Sequence, residues 1–255
     1  MAKLFRVICC QFDIAWEDKA ANFATVERMA ASAGLQPGDL LLLPEMLATG
    51  FSMNAAQIVE PLDGPTARFL AQLARQHAVY VVGGVAIQQA TGAPTNEALV
   101  FEPRGSLLSH YAKVHLFSPG AESVHYAAGA VAGRLALAEC TAQVAICYDL
   151  RFPELFRGTG PVAELLLVIA DWPAVRADHW SALLTARAIE NQAYVAAVNR
   201  CGTDPHVSYS GGSQIIDPRG KVIAEAGNGE CVIAARLDLE GLREYRQNFP
   251  VLGDR

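Results

Sequence analysis

Residues 39–44 read Asp-Leu-Leu-Leu-Leu-Pro, and this stretch decides the class of fold. Four consecutive leucines place apolar side chains on both faces of a β-strand, which is typical of a strand buried on both sides. The same two-faced pattern recurs at 79–88 and 163–170. Because these strands alternate with amphipathic helices, we predict an α/β fold in which the sheet is covered on its faces.

The rest of the chain continues this alternation without a linker, a repeat or a low-complexity segment. Apolar residues at helical spacing predict three helices: 19–33, 65–77 and 178–195, the last running into a strand near 194–199. Further strands are predicted at 4–14, 134–146 (one long extended segment) and 231–237. Hairpins are predicted at 96–110 and 214–226, so the sheet is mixed. We expect one compact domain over residues 1–255.

Composition excludes several classes of protein. The chain has 255 residues, of which 52% are hydrophobic, and a net charge of −6. It can therefore bury a large core, and intrinsic disorder is excluded. An acidic chain without a basic run is not expected to bind nucleic acid. No apolar stretch approaches the ~20 residues of a membrane-spanning helix, so no membrane partner is expected.

The N-terminus and the cysteines indicate a cytoplasmic protein. The first ten residues read Met-Ala-Lys-Leu-Phe-Arg-Val-Ile-Cys-Cys, with charges inside the apolar run and no small-residue cleavage site, so we interpret them as part of a strand rather than a signal peptide. The six cysteines form no Cys-x-x-Cys pair and are expected to be free thiols. The six histidines form neither His-x-His nor His-Glu-x-x-His, so we expect no metal and no cofactor, although a Cys–His dyad stays open.

Three ionisable residues follow the ends of apolar strands: Glu45, Lys113 and Cys147. Ligands of α/β sheets bind outside the carboxyl ends of the strands, so one pocket can collect all three. A thiol at a strand-to-helix turn suits a nucleophile, and a carboxylate suits proton transfer. An ammonium beside them would stabilise a developing oxyanion. We also expect a helix start and a nearby ammonium to lower the pKa of Cys147.

Each of these residues also has a purely structural interpretation. Cys147 fits a buried structural thiol, Glu45 a loop cap, and Lys113 an ordinary surface charge. Glu122, a fourth candidate, fits a solvated loop acid. Residue spacing alone leaves both interpretations open.

The motifs around these residues resemble those of the nitrilase, or carbon–nitrogen hydrolase, superfamily. Its catalytic glutamate, lysine and cysteine match Leu-Leu-Leu-Pro-Glu45-Met, Tyr-Ala-Lys113-Val-His-Leu-Phe and Ile-Cys147-Tyr-Asp-Leu-Arg-Phe-Pro-Glu. Its second glutamate matches Glu122 in Gly-Ala-Glu122-Ser-Val-His-Tyr. The resemblance covers nearly the whole chain. It implies a four-layer α-β-β-α sandwich with mixed sheets, commonly a homodimer that extends across both sandwiches.

More narrowly, the chain resembles the bacterial omega-amidases. The cues are Thr-Gly-Phe-Ser-Met at 49–53 and Ala-Asp-Trp-Pro at 170–173, where Asp171 departs from the asparagine expected in that group. The implied substrate is a short dicarboxylate monoamide, such as 2-oxoglutaramate or 2-oxosuccinamate. The alternative is another enzyme of the superfamily, an N-carbamoyl amino acid amidohydrolase or a nitrilase. An inactive binding scaffold and a metal- or nucleotide-dependent α/β enzyme are further alternatives.

The resemblance implies amide hydrolysis through a cysteine thioester. Cys147 would attack the amide carbonyl, and Glu45 would take the thiol proton and later activate water. Lys113 and the backbone N–H of Tyr148 would hold the oxyanion. Glu122 would orient either Lys113 or the substrate amide.

The substrate carboxylate needs a cation in this acidic chain. Arg151 is the first candidate because a guanidinium binds carboxylates in a bidentate manner; its alternative is a structural pair with Glu154 or Glu190. Arg176 is the second candidate. The aromatic side chains expected to wall the pocket are Phe51 and Trp172. Arg187 and Glu190, three residues apart on a predicted helix, are expected to pair as part of the scaffold.

Overall fold

The computed structural model of the chain describes residues 4–157 and 162–254. The strands in this part are β1 Phe5–Gln11, β2 Leu40–Leu42, β3 Tyr80–Ile87, β4 Thr95–Phe101, β5 Leu107–Ala112, β6 Gly133–Ala136, β7 Thr141–Ile146, β8 Leu165–Ala170, β9 Tyr194–Asn199, β10 Cys201–Thr203, β11 Ser208–Ser210, β12 Gln214–Ile216, β13 Val222–Glu225 and β14 Cys231–Leu237. The α-helices are α1 Lys19–Ser32, α2 Ala55–Ile58, α3 Pro65–His77, α4 Glu122–His125, α5 Pro153–Phe156, α6 Ala177–Asn191 and α7 Leu239–Asn248. Short 3₁₀ turns lie at Ser118–Gly120, Cys147–Arg151, Ala174–Arg176 and Val251–Asp254.

Two six-stranded sheets form the centre of the fold. The first has the order β14-β1-β2-β3-β4-β5 and the second β13-β12-β9-β8-β7-β6, while β10 and β11 form a separate ribbon. In the first sheet β1, β2 and β3 are parallel, and in the second β7, β8 and β9 are parallel; the other pairs are antiparallel. Both sheets are therefore mixed, as predicted.

The sheets face each other, and helices cover their outer faces. Val7 and Leu42 of the first sheet share one core with Val144 and Leu167 of the second. Leu41, the neighbour of Leu42 on β2, faces the outer side of the first sheet. It packs there in a second core with α1 and α3. Helix α6 packs on β9 and β12 at the other side. This arrangement confirms the predicted four-layer α-β-β-α sandwich.

The ends of the predicted elements follow from local chemistry. Helix α3 has the predicted bounds because Pro65 suits its first position and Ala78 leaves the helix with a left-handed φ of 54°. Helix α6 ends at Asn191 rather than at 195, because Gln192 adopts a left-handed φ of 43°. The chain then enters β9 directly, so the predicted run of helix into strand is correct and the predicted helix boundary is wrong.

The prediction of one extended segment over 134–146 is wrong. The chain forms two antiparallel strands there, β6 and β7, and the N–H of Leu137 donates to the carbonyl of Cys140 at 2.9 Å across the turn between them. That turn contains neither glycine nor proline, so it carries none of the usual signals of a chain reversal. The ribbon of β10 and β11 and the helix α7 were not predicted either.

Other predictions about the scaffold are confirmed. Arg187 and Glu190 form an ion pair at 2.7 Å. The six cysteines are free thiols, and the neighbours Cys9 and Cys10 pack in different cores, one between the sheets and one under the helices. Within residues 4–157 and 162–254, no helix is long and apolar enough to cross a membrane. The extent of one domain over residues 1–255 stays a prediction.

Candidate active site

The four sequence-predicted side chains Glu45, Lys113, Glu122 and Cys147 lie together beside the carboxyl ends of β2, β5 and β7. Lys113 directly follows β5 and Cys147 directly follows β7, one from each sheet. The side chains of Glu45, Lys113 and Glu122 have no exposed surface. The alternative interpretations of Lys113 as a surface charge and of Glu122 as a solvated acid are therefore wrong.

Lys113 lies between two carboxylates. Its Nζ is 2.9 Å from Oε1 of Glu45, and it is 3.1 and 2.9 Å from the two carboxylate oxygens of Glu122. Burial on its own lowers the pKa of Lys113, but the charges of Glu45 and Glu122 outweigh it, so the pKa lies well above its ordinary value. Lys113 therefore stays an ammonium in the closed interior of the protein.

Asn96 on β4 joins the same cluster. Its Nδ2 donates to Oε1 of Glu45 at 2.7 Å and to Oε1 of Glu122 at 2.9 Å. Two carboxylates so close together would repel each other, and Asn96 and Lys113 supply the donors that hold them. The backbone adds two more, because the N–H of Phe117 donates to Glu122 and the N–H of Asp171 donates to Glu45.

The backbone of β3 lies very close to the backbone of Glu45 at Gly84. A Cβ at Gly84 would lie 2.5 Å from the Cα of Glu45 and 2.4 Å from the backbone nitrogen of Met46. Both of these are backbone atoms, which cannot swing aside as the end of a side chain can. Position 84 therefore requires glycine for Glu45 to reach Lys113.

Cys147 has a strained backbone at the start of a short turn. Its φ is +48°, a left-handed value that costs a residue with a Cβ about 1–2 kcal/mol. Asp149 holds this turn, because its carboxylate accepts from the N–H of Ile146 at 3.0 Å and from the hydroxyl of Tyr111 at 2.7 Å. Its other oxygen accepts from the N–H of His115 at 2.8 Å. Asp149 thus links the turn of Cys147 to the chain just after Lys113.

The predicted lowering of the pKa of Cys147 is wrong. Burial raises the pKa well above its ordinary value, and the charge of Glu45 raises it further, while the ammonium of Lys113 only partly compensates. Cys147 is therefore a thiol in the free protein and would need a base to act as a nucleophile. The largest charge effects on its pKa come from carboxylates and Lys113 rather than from a histidine, and no group of metal-ligating side chains is found among the described residues.

A small cavity opens beside Cys147. The volume open to the centre of a water-sized molecule is about 30 Å³, so the site suits a short and narrow substrate. The predicted wall residues Phe51 and Trp172 line it, together with Tyr148. The remaining lining residues are Cys147, Arg151, Arg176, Phe117, Asp171 and Pro173.

Both predicted arginines line this cavity. The guanidinium of Arg151 lies 4.7 Å from the ring centroid of Trp172, and one of its nitrogens is 3.2 Å from Nδ1 of His179. It has no carboxylate partner within the described part of the chain, because Glu190 pairs with Arg157 and Arg187 instead. The guanidinium of Arg176 lies over Phe117 at 5.2 Å. The structural pairing considered for Arg151 is therefore not formed.

Sequence reasoning missed three contributors to the site: Asn96, Phe117 and Asp149. A signal for Asn96 was available in the predicted hairpin. Counting back from its turn at 103–105 places Asn96 opposite Ala112. A bulge at Val100 and Phe101 shifts the register by one residue, and the N–H of Lys113 donates to the carbonyl of Asn96 at 2.9 Å. The other two have no comparable local signal, because their contacts come from segments that only the fold brings together.

Comparison with known proteins identifies relatives along nearly the whole chain. Residues 6–247 match the family described as carbon-nitrogen hydrolase. The 2-oxoglutaramate amidase of Bacillus subtilis (strain 168) is 36% identical over 250 residues, which cover 97% of this chain and 96% of that protein. The omega-amidase YafV of Escherichia coli (strain K12) is 38% identical over 251 residues, covering 98% of this chain and 96% of that protein.

A solved structure has the same architecture. A CN-hydrolase superfamily protein from Xanthomonas campestris, with an arsenic adduct in its active site, superposes with a TM-score of 0.93 at 34% sequence identity. The match covers 99% of this chain and 97% of that one.

Proposed function

The chain belongs to the carbon–nitrogen hydrolase family, and on this premise we propose that it is an omega-amidase. It hydrolyses the terminal amide of a short dicarboxylate monoamide, such as 2-oxoglutaramate or 2-oxosuccinamate, to the acid and ammonia. The relatives named for these activities support the proposal because they are similar over nearly their full length.

One observation carries the proposal: Cys147 and Arg151 line the same small cavity. A thiol beside a carboxylate and an ammonium suits attack on an amide carbonyl. The guanidinium of Arg151 lines the same cavity and has no carboxylate partner among the described residues, so it suits the free carboxylate of the same molecule. Arg176 adds a second positive charge to that cavity. The pocket therefore fits a small molecule with an amide at one end and a carboxylate at the other.

The first half of the reaction forms a thioester. Sγ of Cys147 attacks the amide carbon while Glu45 accepts the thiol proton, because the raised pKa of Cys147 keeps the thiol protonated until substrate is present. Lys113 and the backbone N–H of Tyr148 stabilise the oxyanion, and one such donor is typically worth ~2.7–4 kcal/mol. Glu45 then passes the proton to the amide nitrogen, the C–N bond breaks, and ammonia leaves.

The second half regenerates the enzyme. Glu45 takes a proton from water, and the resulting hydroxide attacks the thioester carbon. The C–S bond breaks, the proton returns to the sulfur of Cys147, and the acid product leaves. Glu122 is a positioning residue for Lys113 in both halves, since both of its oxygens contact that ammonium and its backbone donor is Phe117.

Ammonia release from a panel of compounds tests the function. The panel contains 2-oxoglutaramate, 2-oxosuccinamate, an uncharged primary amide of similar length, a nitrile and an N-carbamoyl amino acid. An omega-amidase releases ammonia fastest from the first two and forms no carbon dioxide. Preference for the nitrile, or carbon dioxide release from the carbamoyl compound, would assign a different activity of the superfamily.

We further propose a cytoplasmic homodimer built from one domain over residues 1–255. Six free cysteines, five of them buried, suit a reducing compartment. Light scattering behind a sizing column measures the mass, for which 27.3 kDa per chain predicts a value twice as large for the dimer. A mass of one chain at micromolar concentration would reject the dimer.

A further inference from the structure

Asp171 is an ionisable residue that lines the cavity and has no role in the proposed mechanism. It directly follows β8, and its backbone N–H donates to Oε2 of Glu45 at 2.9 Å. It lines the cavity with Cys147 and Arg151, yet only 4% of its surface is exposed. Both oxygens of its carboxyl group are buried.

Neither oxygen of the Asp171 carboxyl has a hydrogen-bond partner within residues 4–157 and 162–254. Asp149, which is equally buried, accepts hydrogen bonds at both of its oxygens. An ionised carboxylate without donors is costly to bury, because nothing replaces the water it loses. The surroundings of Asp171 thus favour a neutral carboxylic acid.

The charged groups that face Asp171 do not reverse this preference. Burial raises its pKa well above the ordinary value, and the charges of Glu45 and Asp204 raise it further, whereas Arg200 and Lys113 oppose the rise. Arg200 makes no ion pair with Asp171 and contacts Asp13 at 2.8 Å instead. Cys147 and Tyr209 also interact with Asp171, and burial raises the pKa of both, which keeps them neutral.

We infer that Asp171 is a specificity-determining residue, which as a neutral acid admits an anionic amide to the cavity and as a carboxylate repels it. This inference rests on the proposed function, because it concerns the amides that reach Cys147. The cavity holds two positive side chains, Arg151 and Arg176, and an ionised Asp171 would cancel one of those charges. In so small a space a unit charge acts strongly on another.

The experiment compares two substrates of matched length, anionic 2-oxoglutaramate and uncharged pentanamide, from about pH 5 to about pH 9, a range above the ordinary pKa of an aspartate. The measured quantity is kcat/KM for the anion divided by kcat/KM for the neutral amide. Titration of Glu45, Lys113 or Cys147 changes kcat/KM for both substrates. The ratio therefore isolates effects that depend on whether the substrate is charged. In the parent protein the ratio falls about tenfold or more as the pH rises through the raised pKa of Asp171.

The Asp171→Asn variant carries an uncharged side chain of the same shape, so its ratio changes less than about twofold over that range. The matched control is Asp63→Asn, an exposed aspartate outside the cavity, which keeps the parent's fall. An equal fall in the parent and in Asp171→Asn, or a constant ratio in both, overturns the inference.

A second measurement does not depend on turnover. The carboxyl carbon of Asp171 is followed by ¹³C NMR in protein labelled at aspartate, and its resonance is assigned by its loss in Asp171→Asn. A resonance that stays at the position of a neutral acid at pH 6 supports the inference, and that of a carboxylate at the same pH overturns it. Absence of ammonia release from every amide, with a neutral Asp171, would instead reject the proposed function.

Discussion

Asn96 and Lys113 lie opposite each other across the β4–β5 hairpin and share the same two partners. The N–H of Lys113 donates to the carbonyl of Asn96, and both side chains donate to the carboxylates of Glu45 and Glu122. One hairpin thus supplies the cation and the amide that hold two buried acids together. The strand register, rather than a loop, positions the general base of the proposed reaction.

Asn96→Ala is expected to lower kcat about tenfold or more with a smaller change in KM. The substitution removes the amide donor from Glu45 and Glu122, and hydrogen bonds to charged groups contribute about 1.5–3 kcal/mol; a tenfold rate change is about 1.4 kcal/mol. Steady-state ammonia release and thermal unfolding are measured together. The exposed Asn54 supplies the control, Asn54→Ala. An unchanged kcat in a folded Asn96→Ala protein would show that the amide does not position Glu45.

Cys147→Ala is expected to abolish ammonia release, since the nucleophile is lost while the fold keeps its strands. Cys140→Ala and Cys201→Ala are matched controls because both cysteines are buried but lie outside the cavity. They keep most of the activity. Turnover in the Cys147 variant at a rate near that of the controls would reject the assigned nucleophile.

Gly84→Ala is expected to reduce both activity and stability. The added Cβ meets backbone atoms of Glu45 and Met46 at about 2.5 Å, so the loop that carries Glu45 must move. Overpacking of this kind costs about 1–3 kcal/mol. Urea unfolding and kcat are compared with those of Gly227→Ala, where an added Cβ meets nothing within 4 Å. Equal behaviour of the two variants would contradict the close contact at Gly84.

Arg151→Ala is expected to raise the KM for 2-oxoglutaramate strongly and the KM for an uncharged amide little. The reason is that a guanidinium in the cavity contributes to binding only when the substrate carries a carboxylate. Arg104→Ala, at an exposed position in the hairpin turn, is the control. Equal changes in KM for both amides would assign Arg151 a packing role against Trp172 instead.

The free energy of unfolding is expected to fall as the pH rises above about 9. Burial raises the pKa of Cys140 from 9.0 to about 12, and the charge of Glu164 contributes to this rise. Burial also raises the pKa of Cys10 to about 12. Above pH 9 the unfolded chain loses these protons while the folded protein keeps them, so stability decreases with pH up to about pH 12.

Each such thiol contributes a slope of up to about 1.4 kcal/mol per pH unit. Urea unfolding between about pH 8 and about pH 10.5 should therefore give a shallower decline for Cys140→Ser than for the parent, because serine does not titrate there. Parallel declines in the two proteins would mean that Cys140 ionises in both the folded and the unfolded state.

The sequence by itself predicted most strands of the two sheets and the candidate reacting groups. Two-faced apolar runs, such as the leucines at 40–43, predict buried strands because side-chain alternation depends only on neighbouring residues. The residues that follow those runs, Glu45 and Cys147, are recognisable by the same local logic. The chain reversal between β6 and β7 was not predicted, because that turn lacks glycine and proline.

Only the tertiary structure decided how these groups behave. The direction of the pKa of Cys147 depends on its burial and on Glu45, which is far away along the chain, and the local expectation from a helix start and an ammonium had the opposite sign. The bonds of Asn96 depend on strand register, and the lack of partners around Asp171 depends on which segments close over it. Burial and charge are sums over groups that are distant in sequence and close in space, so no local pattern contains them.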